Sequence, residues 1–340
     1  MTRLRALLVC PGRGSYGRAQ LGHLPVGDPI VAALDRFRAA LGRPAISGLD
    51  RAPEYTPRLH VAGEHASLLT FACTAVDLAA IDRSRFDIVG VTGNSMGWYT
   101  ALYAAGALDL YAAARLIETL GHYQVGNLIG GQLMFPLVDD DWQPSADYTS
   151  AVAAALDHPG VHVSIRLGGT IVVGGDAAGL DHARRVLPPI ERGGQRYPAQ
   201  LPLHSAFHTP LMAPTGARAR AELADLAHSA LRSPSITLIG GDGVVHRPWA
   251  DPAALWSYTL GRQIVEPFDF ARAIATALGE LGPDVLILPG PGDSLGGPIG
   301  QILVAQRWRG LRSRADFQAL QTDRPILLAM HRPDQRARVV

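Results

Sequence analysis

The sequence contains no lysine, so all 31 of its lysine and arginine positions are arginine. A chain without lysine cannot form a Schiff base, anchor pyridoxal phosphate or provide the lysine of a phosphate-binding P-loop. Cysteine is scarce as well, and Cys10 and Cys73 are too few for a disulfide framework or a four-thiolate zinc site. We expect neither a bound metal ion nor a cofactor.

The chain also lacks a strong charge and a long apolar run. Its 31 basic and 30 acidic side chains give a net charge of +1, so we expect no nucleic acid and no anionic membrane as partner. No apolar run reaches the ~18 residues of a membrane span. The first apolar run ends at Pro11 without the cleavage site of a signal peptide. A cytoplasmic globular protein is the expectation.

Apolar strands and amphipathic helices alternate along most of the 340 residues. Apolar runs at 4–10, 86–91 and 285–288 predict buried strands, and helical spacing at 28–41 and 62–81 predicts helices between them. This alternation is typical of an α/β fold with a parallel sheet.

Between residues 128 and 199 the pattern changes to strand, helix, strand, strand, helix. This order predicts a small ferredoxin-like α+β subdomain, inserted into a discontinuous α/β core formed by residues 1–127 and 200–330. After the insertion, helical spacing predicts one helix over 209–231. Residues 331–340 are expected to form a mobile tail.

Residues 93–97 read Gly-Asn-Ser-Met-Gly, a G-x-S-x-G pattern after a predicted strand and before a predicted helix. This context is that of a nucleophile elbow, whose glycines permit a sharp turn that exposes the serine. We therefore predict Ser95 as a nucleophile on a hydrolase-like core, with the Met96 amide facing an oxyanion. The alternative is a glycine-rich turn whose serine only caps the helix.

A serine nucleophile needs a base, and the chain has 12 histidines. His208 is the most distinctive candidate, because it follows an apolar loop and precedes the helix-start signal Thr209-Pro210. His204, four residues earlier, suggests a metal pair as the alternative. Pro202 and Pro210 argue against one continuous helix carrying both histidines, so we favour the base.

Residues 12–17 match the dinucleotide-binding pattern G-x-G-x-x-G after a strand. Such loops are common at strand ends in α/β proteins whatever their ligand. We favour an oxyanion loop that presents the amide of Arg13.

Together these motifs resemble those of the malonyl-CoA:acyl-carrier-protein transacylase family, which includes the acyltransferase domains of polyketide synthases. The family patterns P-G-Q-G-S, G-H-S-x-G-E, A-G-x-L-(D/S), F-H-S-P-L-M, Q-(L/I)-x-x-P-V and G-P-G-x-x-L correspond in turn to residues 11–15, 93–98, 105–109, 207–212, 263–268 and 290–295. The six motifs follow in the family's order and extend over nearly the whole chain.

The resemblance implies a role for each matching residue. Ser95 is the nucleophile, His208 its base, and the amides of Met96 and Arg13 form the oxyanion hole. Gln263 supports the imidazole through its backbone carbonyl. The implied reaction is ping-pong transfer of an acyl group from acyl-CoA to the phosphopantetheine thiol of an acyl carrier protein, with no cofactor beyond what the substrates carry.

Several positions depart from the family pattern. Where malonyl-specific members have an arginine that grips the substrate carboxylate, this chain has Leu120. We therefore expect a non-malonyl, neutral acyl group, since an unpaired carboxylate in a dry pocket is costly. The alternatives are that Arg13, which replaces the family's glutamine, turns its guanidinium into the pocket, or that Arg115 compensates weakly.

At the elbow, Asn94 and Trp98 replace the usual histidine and glutamate. We assign Asn94 a supporting role, and we expect Trp98 to line the acyl pocket together with Leu120 and Phe207. The alternative for Trp98 is that it simply packs.

The sequence is also compatible with other functions. On the same fold, the protein would be an editing hydrolase that clears acyl thioesters, or a carrier-protein scaffold without activity. A patatin-like lipase would pair its serine with Asp242, which precedes a glycine. An α/β-hydrolase would use a late histidine such as His331 after Asp284 or Asp293.

Overall fold

The structure, a computed structural model, describes residues 2–340, and its strands form three sheets. In chain order the strands are β1 (Leu4–Cys10), β2 (Phe86–Gly93), β3 (Gly131–Pro136), β4 (Val161–Leu167), β5 (Thr170–Gly175), β6 (Ile190–Arg192), β7 (Gln195–Tyr197), β8 (Ala199–Gln200), β9 (Leu238–Ile239), β10 (Val245–His246), β11 (Phe268–Asp269), β12 (Val285–Leu288) and β13 (Leu327–Ala329).

Helices cover these sheets. In chain order they are α1 (Pro29–Ala40), α2 (Ile46–Asp50), α3 (Pro57–His60), α4 (Gly63–Ala80), α5 (Gly97–Ala104), α6 (Leu110–His122), α7 (Ala146–Leu156), α8 (Ala177–Val186), α9 (Ala213–Glu222), α10 (Ala224–Ser229), α11 (Pro252–Thr259), α12 (Arg262–Val265), α13 (Phe270–Leu281), α14 (Gly296–Ala305), α15 (Arg314–Asp323) and α16 (Pro333–Arg336). Over residues 2–340, none of them is at once long enough and apolar enough to cross a lipid bilayer.

The main sheet has the strand order β10-β9-β2-β1-β12-β13. All neighbouring pairs from β9 to β13 are parallel, and the edge pair β9–β10 is antiparallel. The central strand β1 is fully buried from Ala6 to Cys10, as expected for a parallel sheet covered on both faces. The α/β core predicted from the sequence is confirmed. Edge strand β13 has no counterpart in the sequence prediction.

The second sheet has the order β11-β4-β5-β3-β8 and lies mostly within residues 131–200. Its strands β4, β5, β3 and β8 are antiparallel, in the order 2-3-1-4 of a ferredoxin-like subdomain. Helices α7 and α8 share with it an apolar core of its own. Strand β11 joins this sheet from the α/β core, and an additional hairpin, β6–β7, precedes β8.

The single helix predicted over 209–231 is wrong. The chain forms a 3₁₀ turn at Pro210–Met212, followed by α9 and α10, and Leu223 lies outside helical geometry between those two. Pro214 accounts for the first break, because proline lacks an amide hydrogen and is tolerated only in the first turn of a helix.

The tail predicted for 331–340 is also wrong, because this segment packs against the core. Val339 is fully buried, and its carbonyl accepts the Asp82 amide at 2.9 Å. Arg336, at the end of α16, forms an ion pair with the buried Asp77 of α4. These contacts fasten the last helix to the body of the protein.

Candidate active site

The sharp turn between β2 and α5 carries Ser95. This residue has a φ of 55°, a left-handed conformation that is strained for any residue with a side chain. The turn needs glycine on both sides. A Cβ on Gly93 would lie 2.2 Å from the Gly97 carbonyl oxygen, and one on Gly97 would lie 2.2 Å from the Cys10 carbonyl oxygen. The G-x-S-x-G pattern is therefore explained by close backbone packing around the serine.

His208 lies directly beside Ser95, although 113 positions separate them in the sequence. The His208 Nε2 atom is 2.7 Å from Ser95 Oγ, and Nδ1 is 2.6 Å from the Gln263 carbonyl oxygen. A carbonyl oxygen only accepts hydrogen bonds, so Nδ1 carries the proton and Nε2 has the free lone pair. The imidazole is therefore oriented to accept the proton of the serine hydroxyl.

Gln263 contacts the elbow through its side chain as well. Its Nε2 donates to the Ser95 carbonyl oxygen at 3.1 Å, and its Oε1 accepts from the Tyr99 hydroxyl at 2.7 Å. One residue thus holds both the imidazole and the turn that carries the serine. Tyr99 is not among the residues predicted from the sequence, where its only signal is its position four residues after Ser95, one helical turn away.

The protonation state of His208 follows from its surroundings. The side chain is buried, and burial lowers the pKa of His208 to about 4, while the hydrogen bond to the Gln263 carbonyl opposes the shift. At neutral pH the imidazole is therefore uncharged and able to take up a proton.

This low pKa predicts a characteristic pH profile. We expect the acylation of Ser95 to lose rate only as the pH falls through about 4, because the protonated imidazole cannot accept the serine proton. A histidine with its ordinary pKa of about 6.5 would lose activity at a clearly higher pH. Single-turnover acylation against pH measures this, with circular dichroism at each pH to detect unfolding. A midpoint near pH 6.5 in folded protein would contradict the assignment.

The two backbone amides predicted to form the oxyanion hole lie near the serine and have no acceptor within residues 2–340. Met96 and Arg13, which carry these amides, both line the cavity beside Ser95. The loop of Arg13 is pressed against the elbow, since a Cβ on Gly12 would lie 2.7 Å from the Asn94 carbonyl oxygen. Two unpaired N–H donors close to a nucleophile suit a developing oxyanion.

Asn94 supports this junction through its backbone. Its amide donates to the Cys10 carbonyl oxygen at 3.0 Å, which ties the elbow to the end of β1. The Asn94 Oδ1 atom is buried and has no hydrogen-bond partner among the described residues.

A cavity of about 550 Å³ opens at Ser95, with walls from both subdomains. Leu120 of α6 and Phe207 line it from the α/β core, and Met134 and Val172 line it from the small sheet. The structure therefore places two of the three predicted acyl-pocket residues in the cavity wall.

The third, Trp98, is not in the cavity wall, so its assignment to the acyl pocket is wrong. Its side chain is fully buried on the side of α5 that faces α11. There the indole Nε1 donates to Thr259 Oγ1 at 2.9 Å, and the ring packs edge-on against Tyr258. Trp98 fills the core behind the elbow.

The two arginines that were alternatives for carboxylate binding lie in different places. Arg115 is half exposed and forms an ion pair with Asp225, and it does not line the cavity. Arg13 does line the cavity, and its guanidinium Nε donates to His204 Nε2 at 3.1 Å.

The groups required by the rival mechanisms lie elsewhere. Asp242 forms an ion pair with Arg262 at 2.8 Å, and neither Asp242 nor His331 lines the cavity. Both ring nitrogens of His204 are engaged, by Arg13 and by a backbone carbonyl. Over the described part of the chain, no group of three or more histidine, cysteine, aspartate or glutamate side chains is arranged to hold a metal ion.

An α/β core with an inserted ferredoxin-like subdomain and a serine elbow between them is the fold of the malonyl-CoA:acyl-carrier-protein transacylases, as the motifs implied. The transacylase of Xanthomonas oryzae pv. oryzae superposes with a TM-score of 0.75 at 22% identity, over 99% of this chain and 98% of that chain. A malonyl-transacylase solved in complex with a type II polyketide synthase acyl-carrier protein superposes with a TM-score of 0.68 at 19% identity, over 90% and 99% of the two chains.

Sequence relatives agree with this fold. The malonyl CoA-acyl carrier protein transacylase of Salmonella typhimurium is 25% identical over 299 residues, which are 87% of this chain and 92% of that protein. The highly reducing polyketide synthase ZEA2 of Gibberella zeae is 27% identical over 245 residues, and the match covers 68% of this chain but only 10% of the synthase. No protein-family model matches the chain.

Proposed function

We propose that this protein transfers an acyl group between thiols through an acyl-Ser95 intermediate. The observation that carries the proposal is the 2.7 Å contact between Ser95 Oγ and His208 Nε2 at the wall of a cavity. The proposed donor is an acyl-CoA. No cofactor takes part, because coenzyme A and phosphopantetheine belong to the substrates.

In each half-reaction, Ser95 and His208 account for every proton transferred and every bond formed or broken. Ser95 Oγ attacks the thioester carbonyl carbon while its proton moves to His208 Nε2, and the amides of Met96 and Arg13 stabilise the oxyanion. The intermediate collapses, the carbon–sulfur bond breaks, and the leaving thiolate takes the proton from His208. A second thiol then gives its proton to His208, attacks the acyl-serine ester and restores the free hydroxyl.

The acceptor in this proposal is the phosphopantetheine thiol of an acyl carrier protein. Support comes from the shared fold with a transacylase solved with its carrier protein, and from the match over 92% of the Salmonella typhimurium transacylase. The cavity volume of about 550 Å³ is also in the range of sites that enclose small-molecule ligands.

The proposal extends to the acyl group, which we take to be other than malonyl. Leu120 lines the cavity, and only 3% of this residue is exposed. In malonyl-specific members of the family that the motifs resemble, the corresponding position is the arginine that binds the carboxylate. A malonyl carboxylate against Leu120 would lose its water without gaining a partner.

The Leu120→Arg variant tests this part directly. We expect it to raise the rate of Ser95 acylation by malonyl-CoA at least about tenfold, the size of one hydrogen-bonded charge pair. Leu120→Met, which keeps the volume and the apolar character, is the control and should leave that rate low. A wild-type protein that already prefers malonyl-CoA to other acyl-CoAs would refute the acyl-group proposal.

Intact-mass spectrometry after mixing with a panel of acyl-CoAs tests the function as a whole. An acyl adduct should form on the wild type and be absent from Ser95→Ala, and holo acyl carrier protein should discharge it quickly. An adduct that decays equally fast in buffer alone identifies the hydrolase alternative. A wild type that forms no adduct with any thioester overturns the proposed function.

A further inference from the structure

Two polar side chains are buried in the small sheet, close to the loop that carries His208. Gln132 lies on β3 and Ser164 on β4, with exposed fractions of 2% and 0%. Buried polar groups are costly unless they are hydrogen-bonded. Both side chains meet this need at one atom outside the small sheet, the carbonyl oxygen of Phe207, the residue directly before His208.

The donors in this network follow from the chemistry of its members. A carbonyl oxygen only accepts, so Ser164 Oγ gives its one proton to the Phe207 carbonyl oxygen at 2.9 Å. The Ser164 oxygen is then left to accept, and Gln132 Nε2 donates to it at 2.7 Å and to the Phe207 carbonyl oxygen at 3.3 Å. A single backbone carbonyl thus receives two donors from the small sheet.

The peptide unit that receives these bonds needs support from its surroundings. His208 has a φ of 62°, a left-handed conformation that is strained for a residue with a side chain and persists only where the surrounding structure fixes it. On the other side of the same peptide unit, the His208 amide donates to the Ile264 carbonyl oxygen at 2.8 Å. The small sheet therefore holds the carbonyl of this unit, and the segment that follows Gln263 holds its amide.

We infer that Gln132 and Ser164 are positioning residues for His208: by holding the Phe207 carbonyl, they keep the strained backbone that aims the imidazole at Ser95. This inference deepens the proposed function and rests on it, since the role is defined by the attack of the serine. Neither residue belongs to the six motifs that carry the family resemblance. The nucleophile thus follows a strand of the main sheet, while the small sheet helps to set the direction of its base.

Loss of the donors tests the inference through the reactivity of the serine. A fluorophosphonate reagent labels an activated serine: Oγ forms a bond to phosphorus, fluoride leaves, and the hydroxyl proton passes to His208. We expect Gln132→Met and Ser164→Ala each to slow this labelling at least about threefold, and the double variant at least about tenfold. The first change leaves the carbonyl one donor, and the second leaves it none.

The smaller of the two changes separates positioning from contact with the reagent. Gln132 lines the cavity, whereas Ser164 does not, so Ser164→Ala acts without touching the bound molecule. Unchanged labelling in the folded double variant would overturn the inference. If the double variant does not fold, unchanged labelling in Ser164→Ala, which loses a single hydroxyl, overturns it instead.

Gln321→Met is the matched control for removing a glutamine that holds backbone. Gln321 donates to the Leu327 carbonyl oxygen at 2.9 Å and accepts from the amides of Ile326 and Leu327 at 2.8 and 3.0 Å. These bonds support the edge strand β13, and Gln321 does not line the cavity. We expect wild-type labelling from this variant even where its unfolding temperature is lowered. Labelling slowed as much as in Gln132→Met would assign the effect to lost stability and contradict the positioning role.

Repeating the changes in His208→Ala separates positioning of the base from a general role in the structure of the site. With the imidazole removed there is nothing left to aim, so we expect Gln132→Met and Ser164→Ala to cause no further loss of labelling. A further loss as large as the one in the presence of His208 would show that the two residues act on the elbow or the cavity, and the inference would be wrong.

Proton NMR of the unreacted protein tests the same point without chemistry. The Nδ1 proton of His208, buried in the 2.6 Å hydrogen bond to the Gln263 carbonyl oxygen, should give a low-field resonance that is absent from His208→Ala. We expect this resonance to shift in Gln132→Met and Ser164→Ala and to stay in place in the Gln321→Met control. An unshifted resonance in both variants would overturn the inference. A shift in a protein that forms no adduct with any thioester would support the positioning role and remove only the proposed function.

Discussion

Replacing His208 with alanine is expected to slow the acylation of Ser95 at least about a thousandfold, as for other serine enzymes that lose their base. The reason is the 2.7 Å contact from His208 Nε2 to Ser95 Oγ, which among residues 2–340 provides the route for removing the hydroxyl proton. Single-turnover acylation by a reactive acyl-CoA, followed by intact mass, measures the rate. Thermal unfolding of the variant confirms that the loss is chemical.

Asp242→Ala is the matched control for this experiment. Asp242 is the acid that a patatin-like dyad would use, and its carboxylate is occupied by Arg262, away from the cavity. Its replacement should leave acylation at the wild-type level. Full turnover in His208→Ala combined with loss of turnover in Asp242→Ala would reverse the assignment of the base.

Gly97→Ala is expected to destabilise the folded protein by about 3 kcal/mol, the upper range for overpacked sites. The added Cβ would lie 2.2 Å from the Cys10 carbonyl oxygen and 2.9 Å from that of Pro11. Both contacts are with backbone, so no side-chain rotation relieves them and the elbow must separate from β1. Urea unfolding measures the change, and acylation of Ser95 should fall in parallel.

Gly279→Ala is the control for the loss of stability expected in Gly97→Ala. Gly279 lies in α13, and a Cβ there meets nothing within 4 Å. Alanine is the better helix former by up to about 1 kcal/mol, so this variant should be neutral or slightly stabilised. Equal losses of stability at both glycines would show that the close backbone contact at Gly97 is not what demands glycine.

Local signals predicted many of the elements to within a few residues. Asp28, the first residue of the helix predicted over 28–41, accepts from the amides of Ile30 and Val31 at the start of α1, and Pro29 follows it in the first turn. At the start of α6, Asp109 accepts from the amide of Ala112. The failures lie where local signals are weak or conflict, as in 209–231, where proline interrupts an otherwise helical pattern.

The residues of the candidate site show the same contrast between those that a local motif predicts and those whose position depends on packing. Ser95, His208 and Gln263 stood out through motif and resemblance, and the structure brings them together. Trp98 was placed on the wrong side of α5, because a sequence position next to the elbow does not say which face of the helix meets the cavity. Tyr99, the next residue, is the one that reaches Gln263.

The order of residues by itself determined the fold class, the inserted subdomain and the serine turn, since each depends on periodicity, caps and glycines within a few positions. Only the tertiary structure decided that the imidazole of His208 meets the serine hydroxyl, that Trp98 packs behind the elbow, and that the last helix is paired with Asp77. These outcomes depend on distances between segments far apart in the chain. Such distances are set by how the two sheets and their helices pack, and no local pattern encodes them.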